Sequence, residues 1–442
     1  MGCLPTKTLL RSAKLLDLFR DSERFGIRNF GFELDFGKVM ERSDALIEAT
    51  VSQGPRPFEE QGVEYFHDPA RFLSPHELQV GERVLRAERF IIATGQLPAI
   101  PPIPGLREAG FITNEQATHL RELPRSLVIL GGGAIGLEFA QIFSAFGCEV
   151  TVLEAANQIL PRDDEDIARL MVGYLDERGV RVSTQTRAVA VKRQDEQKVV
   201  TADTPEGRHN VVAEEILVAT GRTPNVQELN LEAAGVAHDR RGITVDETMQ
   251  TSVPHIWAAG DVAGKWLFTH VAAYEGRLAG RNATAAHPRR ADYRIIPRVT
   301  FTDPEVASIG YTEREAREAG LPVTTSTFSF QGLPKAVIDG ENEGIVKLVA
   351  VEGSGEIIGG HIVGPEAGTL IHEIAVAMAG PLPADVVRHT IHAFPTYSEA
   401  VRWAAGGVPV DKAALVGCVL CLRDVPAEVA TRAERSWIEN GP

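Results

Sequence analysis

Short apolar runs that end in glycine turns recur through the first two thirds of the chain. The clearest run, residues 126–130, leads into a G-x-G-x-x-G sequence at residues 131–136. Apolar residues at helical spacing follow up to Gly147, and a second apolar run at residues 149–153 is followed by Glu154. This order predicts a strand, a tight turn, a helix and a second strand, which is the βαβ unit that binds dinucleotides.

Each glycine of the G-x-G-x-x-G sequence has a predicted role. Gly131 makes the tight turn, Gly133 lets the backbone approach a pyrophosphate, and Gly136 lets the helix pack on the strand. The pyrophosphate would bind the free N–H groups at the helix start, while Glu154 hydrogen-bonds the ribose hydroxyls of NAD and repels a 2′-phosphate. The alternative is a glycine-rich turn without a ligand. The residues predicted to hold the dinucleotide are Gly131, Gly132, Gly133, Ala134, Ile135, Gly136 and Glu154.

Two other apolar runs, at residues 90–92 and 216–218, each lead into the sequence A-T-G. This repetition favours two similar nucleotide-binding units in tandem, and the alternative is the coincidence of a common turn. A third run, at residues 256–258, leads to Asp261. Its carboxylate either accepts hydrogen bonds from cofactor hydroxyls or caps the next helix.

The pattern changes after about residue 297. Strand-like runs follow one another there, and two helical stretches come after them. That order is typical of α+β rather than of βαβ architecture, so we place a domain boundary at this point. The predicted strands are residues 298–301, 324–330, 344–350 and 357–363, with helices at 370–378 and 384–390; nearer the start, residues 36–61 are predicted as helix and 62–87 as short strands.

The chain opens with a predicted helix that carries a cysteine at its start. Apolar residues at helical spacing run from Leu9 to Leu18, and Pro5 is tolerable because it lies in the first turn. Cys3 is therefore at a helix N-terminus, with Lys7 one turn further along the same face. The helix dipole and the ammonium group both favour a reactive thiolate at Cys3. The alternative is a small buried cysteine.

Composition narrows the classes of function. The 442 residues suffice for about three domains. The net charge of −15 argues against nucleic-acid partners and anionic membrane surfaces. The sequence has no apolar run of the roughly 18 residues that a membrane span needs, and its N-terminus has no signal-peptide architecture. Its scattered cysteines favour reduced thiols and a cytoplasmic location; they are Cys3, Cys148, Cys418 and Cys421.

Several short motifs follow one another in a specific order. They are G-C-L-P-T-K at residues 2–7, the two A-T-G turns, A-G-D at 259–261, F-T-D-P-E at 301–305 and G-P-E-A-G at 364–368. In this order they resemble the motifs of the pyridine nucleotide-disulfide oxidoreductases, in particular the dihydrolipoyl dehydrogenase and mercuric reductase branches. The resemblance runs from Gly2 to about Gly407. In that family NADH gives a hydride to FAD, and electrons pass to a cysteine pair and on to substrate.

The resemblance implies an α/β fold. Two Rossmann-like domains would bind FAD and NAD(P), and an α+β dimerisation domain would follow them. The implied divisions are residues 1–118 with 247–295 for FAD, 119–246 for NAD, 296–407 for dimerisation and 408–442 as a C-terminal tail. The implied assembly is a homodimer in which residues 394–399 of each subunit close the active site of the other.

The resemblance also assigns roles to individual residues. Cys3 matches the cysteine nearest the flavin, and Lys7 with Glu138 matches an ion pair beside the flavin N5 atom. The alternatives are a solvated Lys7 and a surface Glu138. The residues matched to FAD binding are Lys7, Thr94, Gly95, Gln96, Asp261, Leu267, Phe268, Thr269 and His270. Those matched to the NAD site are the glycines at 131–136 with their neighbours, Glu154, Ala188 and Gly221, and the implied catalytic residues are Cys3, Lys7, Glu138 and Glu399.

The sequence departs from the family's pattern first at its N-terminus. The family's opening βαβ unit, which holds the FAD pyrophosphate, is absent, and the partner of Cys3 would lie five places before it. A doubly wound sheet without its central strand would expose two strand edges, so we expect an N-terminally truncated sequence. The alternative is a non-catalytic protein that binds NAD and lacks bound flavin.

The second departure removes the family's catalytic base. Phe394 occupies the place of the histidine in the family's H-P-T-x-S-E motif, and phenylalanine cannot accept a thiol proton. His392, two residues earlier, is the alternative base, although a hydrogen-bonded turn residue is the simpler interpretation. Glu399, which orients the histidine in the family, then has nothing equivalent to orient. The mercuric reductase branch also lacks this base.

The third departure is the tail. Mercuric reductases end in an adjacent cysteine pair, whereas Cys418 and Cys421 are separated by two residues. Two apolar cysteines in a hydrophobic run are the simpler interpretation, and one C-x-x-C without a second pair predicts no metal site.

These observations predict an FAD-dependent NAD(P)H oxidoreductase of the disulfide-reductase type. Its cofactors would be FAD and NAD, with NADH preferred because of Glu154, and its substrate a small molecule or small thiol. Mercury(II) reductase is one alternative, and a truncated NAD-binding protein is the other. No nucleic-acid or membrane partner is expected.

Overall fold

The computed structural model describes residues 2–52 and 54–411. Its helices are α1 (Cys3–Arg20), α2 (Phe36–Val51), α3 (Arg56–Glu59), α4 (Leu106–Ala109), α5 (Asn114–Ala117), α6 (Ala134–Ala145), α7 (Glu165–Glu177), α8 (Leu231–Ala234), α9 (Thr269–Asn282), α10 (Glu313–Glu318), α11 (Pro334–Asp339), α12 (Ala367–Ala379), α13 (Ala384–His389) and α14 (Glu399–Gly406). Its strands are β1 (Ala70–Ser74), β2 (Glu77–Val80), β3 (Arg83–Arg86), β4 (Phe90–Ile92), β5 (Gln96–Pro98), β6 (Ser126–Leu130), β7 (Glu149–Leu153), β8 (Val180–Ser183), β9 (Arg187–Gln194), β10 (Gln197–Thr204), β11 (Gly207–Ala213), β12 (Glu215–Val218), β13 (Arg222–Pro224), β14 (Ile256–Ala258), β15 (Arg298–Thr300), β16 (Glu305–Gly310), β17 (Val323–Ser329), β18 (Ile345–Val351) and β19 (Ile357–Gly364).

The chain divides into two compact units, and each is discontinuous in sequence. Unit 1 comprises the described residues within Met1–Thr8, Asp35–Glu122 and Ile216–Tyr293, and unit 2 comprises those within Leu9–Leu34, Leu123–Glu215 and Arg294–Pro442. The predicted α/β class with an α+β region after it is confirmed. The finer domain boundaries given above stay a prediction.

Unit 2 contains the predicted βαβ arrangement around the glycine turn, the name used here for residues 131–136. Strand β7 lies between β6 and β8 and is parallel to both. The inner residues of β6 and β7 are buried almost completely, as expected for parallel strands covered on both faces. Strands β9, β10 and β11 form a separate antiparallel sheet with β10 in the middle.

The last part of unit 2 is a five-stranded antiparallel sheet in the order β15-β16-β19-β18-β17. Helices α12 and α14 pack on it, and their apolar side chains form a core with those of the strands. Strands β15, β17, β18 and β19 and helices α12 and α13 were predicted to within a few residues. Strand β16 and helix α14 were not predicted. In β16, Ala307 and Ser308 interrupt the apolar pattern.

Unit 1 is built from small sheets. Strands β4 and β14 pair in parallel, β1, β2 and β3 form an antiparallel sheet, and β5 pairs with β13. Apolar side chains from β1, β4, β14 and α8 share one core, which includes Phe72, Ile92 and Ile256. Helix α9 packs against β14.

The predicted single helix over residues 36–61 is wrong in its second half. Helix α2 ends at Val51, and the short helix α3 begins at Arg56. Between them Gly54 has a φ of +52°, and Pro55 has no N–H to donate to a preceding turn. The predicted strands of residues 62–87 are present as β1, β2 and β3. Within the described ranges, no helix combines the length and apolar character that crossing a membrane requires.

Candidate cofactor and redox sites

The glycine turn has the geometry that its sequence predicts. Gly131 has a φ of +110°, and a Cβ on Gly136 would overlap the carbonyl oxygen of Gly131. Gly133 is the N-cap of α6, where no side chain of the described residues caps the helix. A Cβ on Gly133 would meet no described atom within 4 Å. The turn therefore combines tight packing at Gly136 with open space and uncapped N–H groups at the helix start, which suits a phosphate group.

Glu154 lies directly beside this turn. Its Oε2 atom accepts a hydrogen bond from the backbone N–H of Gly132 at 2.6 Å, and Oε1 accepts one from Ala156 at 2.7 Å. Each carboxylate oxygen has a second lone pair, so the group can still accept hydrogen bonds from ribose hydroxyls. Glu154 thus also has a structural role that the sequence did not indicate: it fixes the Gly132 peptide.

The two A-T-G turns are tied together in unit 1. Strands β5 and β13, which follow the turns, pair antiparallel so that Arg222 lies opposite Pro98. The first turn is also held by Asn225, whose side-chain N–H donates to the Thr94 carbonyl and whose backbone N–H donates to the Gly95 carbonyl. The repetition noticed in the sequence therefore corresponds to two turns whose exit strands form one ribbon.

Asp261 is surrounded by residues of these same turns. The Arg222 guanidinium donates from Nη1 to Asp261 Oδ2 at 2.6 Å and from Nη2 to the Gln96 carbonyl at 3.1 Å. The Gln96 side-chain amide donates to the Asp261 carbonyl at 2.9 Å. Its Oε1 atom is buried and has no hydrogen-bond partner among the described residues. An unused acceptor beside a carboxylate is what a ligand with hydroxyl or N–H donors would satisfy.

Helix α9 supports the Asp261 turn (residues 259–261) from behind. Glu275 is buried, and its carboxylate accepts hydrogen bonds from the Gly260 N–H at 2.8 Å and from the Tyr293 hydroxyl at 2.7 Å. Burial raises the pKa of Glu275, and burial together with the hydrogen bond to Glu275 raises the pKa of Tyr293. The backbone that presents Asp261 is therefore fixed by a side chain of α9.

The start of α9 reaches Cys3. The Cys3 sulfur lies 3.3 Å from the hydroxyl of Thr269, the first residue of α9, and Cys3 is itself the first residue of α1. The Phe268 and His270 rings stack at a centroid distance of 5.4 Å. The exposed Cys3 and the segment of residues 267–270, both assigned to the flavin site by resemblance, are therefore brought together. The alternative of a buried Cys3 is wrong.

Lys7 belongs to unit 1 and Glu138 to unit 2. Lys7 is partly buried on α1, where its ammonium group donates to the Thr6 hydroxyl at 3.4 Å. Glu138 is only 4% exposed on α6 and accepts a hydrogen bond from the Phe301 N–H at 3.1 Å. The alternative of a surface Glu138 is wrong, and the Lys7–Glu138 ion pair stays a prediction.

The segment that carries Phe394 is docked on α12. His392 places its Nε2 atom 2.7 Å from Glu373 Oε1 and its Nδ1 atom 2.8 Å from the Thr390 carbonyl oxygen. Phe394 itself is 73% exposed. Because acceptors flank both nitrogens of His392, it fits the interpretation as a hydrogen-bonded turn residue better than that of a displaced base.

The remaining predicted residues have the following places. Glu399 is buried at the start of α14 and accepts a hydrogen bond from the Thr396 N–H at 3.2 Å, so it holds the turn. Ala188 lies on β9 of unit 2, and Gly221, with a φ of +124°, lies in unit 1. Cys418 and Cys421 lie outside the described residues.

Four residues that support these sites were not singled out from the sequence: Asn225, Arg222, Glu275 and Glu373. A usable signal existed for Glu275 alone, as a carboxylate on the apolar side of a helix whose neighbours Val271, Leu278 and Ala279 are buried. The others act across 19 to 131 sequence positions through contacts that no local pattern indicates.

The arrangement in each unit fits one of the implied cofactors. In unit 1, Gly95 leaves open space where a Cβ would lie, and the unused Gln96 oxygen and the Asp261 carboxylate can meet ribityl hydroxyls. In unit 2, the uncapped start of α6 and Glu154 can meet the pyrophosphate and ribose of a nicotinamide dinucleotide. For the residues described, no group of three or more histidines, cysteines and carboxylates is arranged to hold a metal ion.

Two family models match the chain. Residues 1–276 match the pyridine nucleotide-disulphide oxidoreductase model, and residues 296–405 match the dimerisation domain of the same proteins. Together the two matched ranges include nearly all of the described residues.

Individual relatives agree with these matches. The chain is 37% identical to the dihydrolipoyl dehydrogenase of Bacillus subtilis (strain 168), over 91% of this chain and 89% of the relative. It is 35% identical to the mercuric reductase of Streptomyces lividans, over 95% of this chain and 90% of the relative. Among solved structures, the HOCl-induced flavoprotein disulfide reductase RclA from Escherichia coli, also solved as a Cu(II) complex, superposes with a TM-score of 0.83 at 28% identity, covering 92% of this chain and 90% of that one.

Proposed function

Because the chain belongs to the pyridine nucleotide-disulphide oxidoreductase family, whose members use FAD and a nicotinamide cofactor, we propose that it oxidises NADH and passes the electrons through bound FAD to a small acceptor beside Cys3. The observation that carries this proposal is the 3.3 Å contact between the Cys3 sulfur and Thr269. It joins the cysteine to α9, and Glu275 of α9 holds the Asp261 turn. The reactive thiol and the predicted flavin-binding carboxylate thus share one support.

The residues of unit 1 would hold the flavin. Asp261 and Gln96 would accept hydrogen bonds from its hydroxyl groups, and Gly95 would allow the backbone to approach it. When bound, FAD supplies the ability to accept two electrons from a nicotinamide and to release them singly or as a pair. The chain's own contribution is to bind and orient the group and to keep the Cys3 sulfur next to Thr269.

The choice of NADH over NADPH rests on Glu154. Its carboxylate sits at the glycine turn, and both oxygens face backbone N–H donors. A 2′-phosphate placed beside it would meet a like charge in partly buried surroundings, which is unfavourable. A 2′-hydroxyl can donate to the remaining lone pairs.

Phe394 bears on which electron acceptor the protein uses, because it stands where the family has a catalytic base. A dithiol such as dihydrolipoamide needs a base that accepts its protons, and neither Phe394 nor the engaged His392 provides one. We therefore expect slow exchange with lipoamide and faster reduction of quinones or one-electron acceptors. In the quinone case NADH, one proton and the quinone give NAD⁺ and the hydroquinone. Metal-ion reduction is the second candidate, because the relatives include a mercuric reductase and a reductase solved with Cu(II).

The protein is proposed to act as a homodimer. Residues 296–405 match a dimerisation domain. The same region exposes large apolar side chains, among them Val376 on α12, Ile391 at 96% exposure and Phe394 at 73%. His392, which lies between Ile391 and Phe394 in sequence, binds Glu373 of α12. The three exposed apolar side chains therefore belong to α12 and to the segment that is docked on it. Apolar exposure of this degree is typical of a surface that a partner covers.

The test uses the purified full chain saturated with FAD. NADH should bleach the flavin absorbance in stopped flow, and a quinone should restore it, while dihydrolipoamide should be oxidised slowly. Cys3→Ser should leave reduction by NADH intact and impair transfer to disulfide or metal-ion acceptors. Rapid dihydrolipoamide oxidation would contradict the proposed acceptor class. A chain that stays colourless with FAD, yet is thermally stabilised by NADH, would support the non-catalytic alternative.

A further inference from the structure

A row of polar residues crosses the whole five-stranded sheet of unit 2. The members, called here the polar row, lie opposite one another in register on β15, β16, β19, β18 and β17: Arg298, Ser308, His361, Lys347 and Thr327. Their neighbours along the strands, such as Ala307, Val346 and Leu348, belong to the apolar core. Because side chains alternate along a strand, the row lies on the sheet face opposite that core.

Lys347, on β18, is a buried member of the row, with a side chain only 5% exposed. Its ammonium group lies 3.0 Å from Asp164 Oδ1, 2.7 Å from Asp166 Oδ2 and 2.8 Å from Glu313 Oε2. Burial alone would lower the pKa of Lys347, but the hydrogen bonds that it donates to these carboxylates raise the pKa above its ordinary value. A permanent cation therefore holds the segment around Asp164 on the sheet.

Arg298 makes a second attachment to the same segment. It donates from Nη2 to the Arg162 carbonyl at 3.1 Å and lies 3.6 Å from Asp163 Oδ1. His361, between the two cations, is fully buried with its Nδ1 beside the Ser308 hydroxyl and its Nε2 beside the Tyr311 carbonyl. Burial lowers the pKa of His361, so this member of the row is neutral. Arg298 and Lys347 are thus the charged members of the row.

The segment held by these two cations contacts the glycine turn directly. The Asp163 N–H donates to the Leu160 carbonyl at 2.8 Å, and the Leu160 N–H donates to the Gly132 carbonyl at 2.9 Å. The Ile159 side chain lies so close to Gly132 that a Cβ there would meet it at 2.8 Å. The other side of the Gly132 peptide is held by Glu154. Residues 159–164 therefore form a strut between the polar row and the predicted dinucleotide site.

We propose that Arg298 and Lys347 are positioning residues for the nicotinamide dinucleotide, acting through the strut of residues 159–164 on the Gly132 peptide and Glu154. The inference rests on the proposed function, and it adds that the dimerisation sheet sets the affinity of the NAD site. Neither cation touches the turn itself. Their effect is to keep Gly132 and Glu154 in the one arrangement that leaves the helix start open and the carboxylate directed at the ribose.

The physical reason is that buried carboxylates cannot stay where they are without their cation. If Lys347 is replaced by an apolar residue, the buried Asp164 loses its counter-charge and must move toward water. Asp164 adjoins the strut, so Leu160 and the Gly132 carbonyl would shift with it. Displacements of about 1 Å in a binding site are enough to change binding strongly.

The experiment compares FAD-saturated wild-type protein with Lys347→Met and Arg298→Met. Calorimetric titration with NAD⁺, which does not reduce the flavin, gives the dissociation constant, and steady-state assays give KM for NADH and kcat. We expect both variants to raise the dissociation constant and KM about tenfold while FAD content and kcat at saturating NADH change less than twofold. The two variants act at separate attachments, so a variant that fails to fold leaves the other to decide.

The matched control is Lys198→Met. Lys198 is also a buried lysine of unit 2, and it pairs with Glu215 away from the strut. It should lower thermal stability without changing the affinity for NAD⁺. A rise in the dissociation constant as large as that of Lys347→Met would overturn the inference, as would unchanged binding in Lys347→Met and Arg298→Met. Wild-type protein that does not bind NAD⁺ would overturn the proposed function, and this inference with it.

Discussion

The Asp261 turn of unit 1 and the glycine turn of unit 2 are each supported from behind by a buried charged side chain, but the two supports are opposite in kind. Glu275 is an acid held by two neutral donors, the Gly260 N–H and the Tyr293 hydroxyl. Lys347 is a base surrounded by three carboxylates, and it acts on the glycine turn through the strut. Each device fixes a turn that is predicted to meet a cofactor.

The comparison shows that the partner, and not burial alone, decides the direction in which a pKa moves. Burial is the largest influence on Glu275 and raises its pKa, since its partners carry no charge. For Asp166 and Glu313 the hydrogen bond from Lys347 is the largest influence and lowers the pKa of both. Two buried polar supports of similar purpose therefore respond oppositely to pH.

The largest effect is expected from removing the support of the Asp261 turn. Glu275→Leu leaves the Gly260 N–H and the Tyr293 hydroxyl buried without an acceptor, at a cost of about 3 kcal/mol in the free energy of unfolding. FAD retention should fall, because the backbone before Asp261 is no longer fixed. Denaturant unfolding and flavin content after gel filtration measure both quantities.

Tyr293→Phe is the matched control for this variant. It removes one donor and keeps the Glu275 bond to Gly260, so FAD retention should stay near the wild-type value. Equal loss of FAD in the two variants would show that the Gly260 contact is not what orients the Asp261 turn.

The next largest effect is expected from adding a methyl group inside the glycine turn. Gly136→Ala places its Cβ on the Gly131 carbonyl oxygen, and we expect a loss of about 2 kcal/mol even after the gain in helix propensity. Gly133→Ala puts the same methyl into open space and should unfold like the wild type while weakening NAD⁺ binding. Urea unfolding and calorimetric titration of both variants test the pair. If Gly133→Ala binds NAD⁺ normally, no phosphate approaches the helix start there.

A smaller effect is expected on cofactor choice. Glu154→Arg replaces a carboxylate with a guanidinium that can bind a 2′-phosphate, so the ratio of kcat/KM for NADPH over NADH should rise at least tenfold, about 1.4 kcal/mol. Glu149→Arg, an exposed acid at the start of the same strand, is the control and should leave the ratio unchanged. An unaltered ratio in Glu154→Arg would remove the assignment of NADH.

The smallest effect is the opposite pH dependence of the two supports. Asp166 and Glu313, two partners of Lys347, have folded pKa values below their ordinary 3.8 and 4.5, so their contribution to stability is full above those values and is lost as pH falls through the lowered ones. Glu275 has a folded pKa above 4.5, so its contribution is full below 4.5 and is lost as pH rises through the raised value. Melting temperatures of Lys347→Met and Glu275→Leu relative to wild type, measured across this acid range, should therefore change in opposite directions. If the melting-temperature differences of the two variants changed with pH in the same direction, the proposed opposite pH dependence of the two supports would be wrong.

The sequence predicted the parts of these sites whose members lie close together along the chain. The glycine turn and Glu154 form one βαβ unit, and each glycine reflects a local backbone requirement. Cys3 at the start of α1 followed from an apolar stripe and one proline. The supports could not be predicted in the same way, because Arg222 meets Asp261 and His392 meets Glu373 across long stretches of chain. Only Glu275 and Lys347 left a local signal, as a carboxylate on the apolar side of α9 and as a single charge inside the apolar run of β18.

The ribbon of β5 and β13 has a consequence for anyone who builds chimaeras from this chain. The two strands come from distant parts of the sequence, and their register sets which face Arg222 presents. A slip of one residue would turn that guanidinium away from the Asp261 carboxylate. Grafts from a relative should therefore exchange both strands together, since a single-strand graft with a changed connector length would misalign the pair.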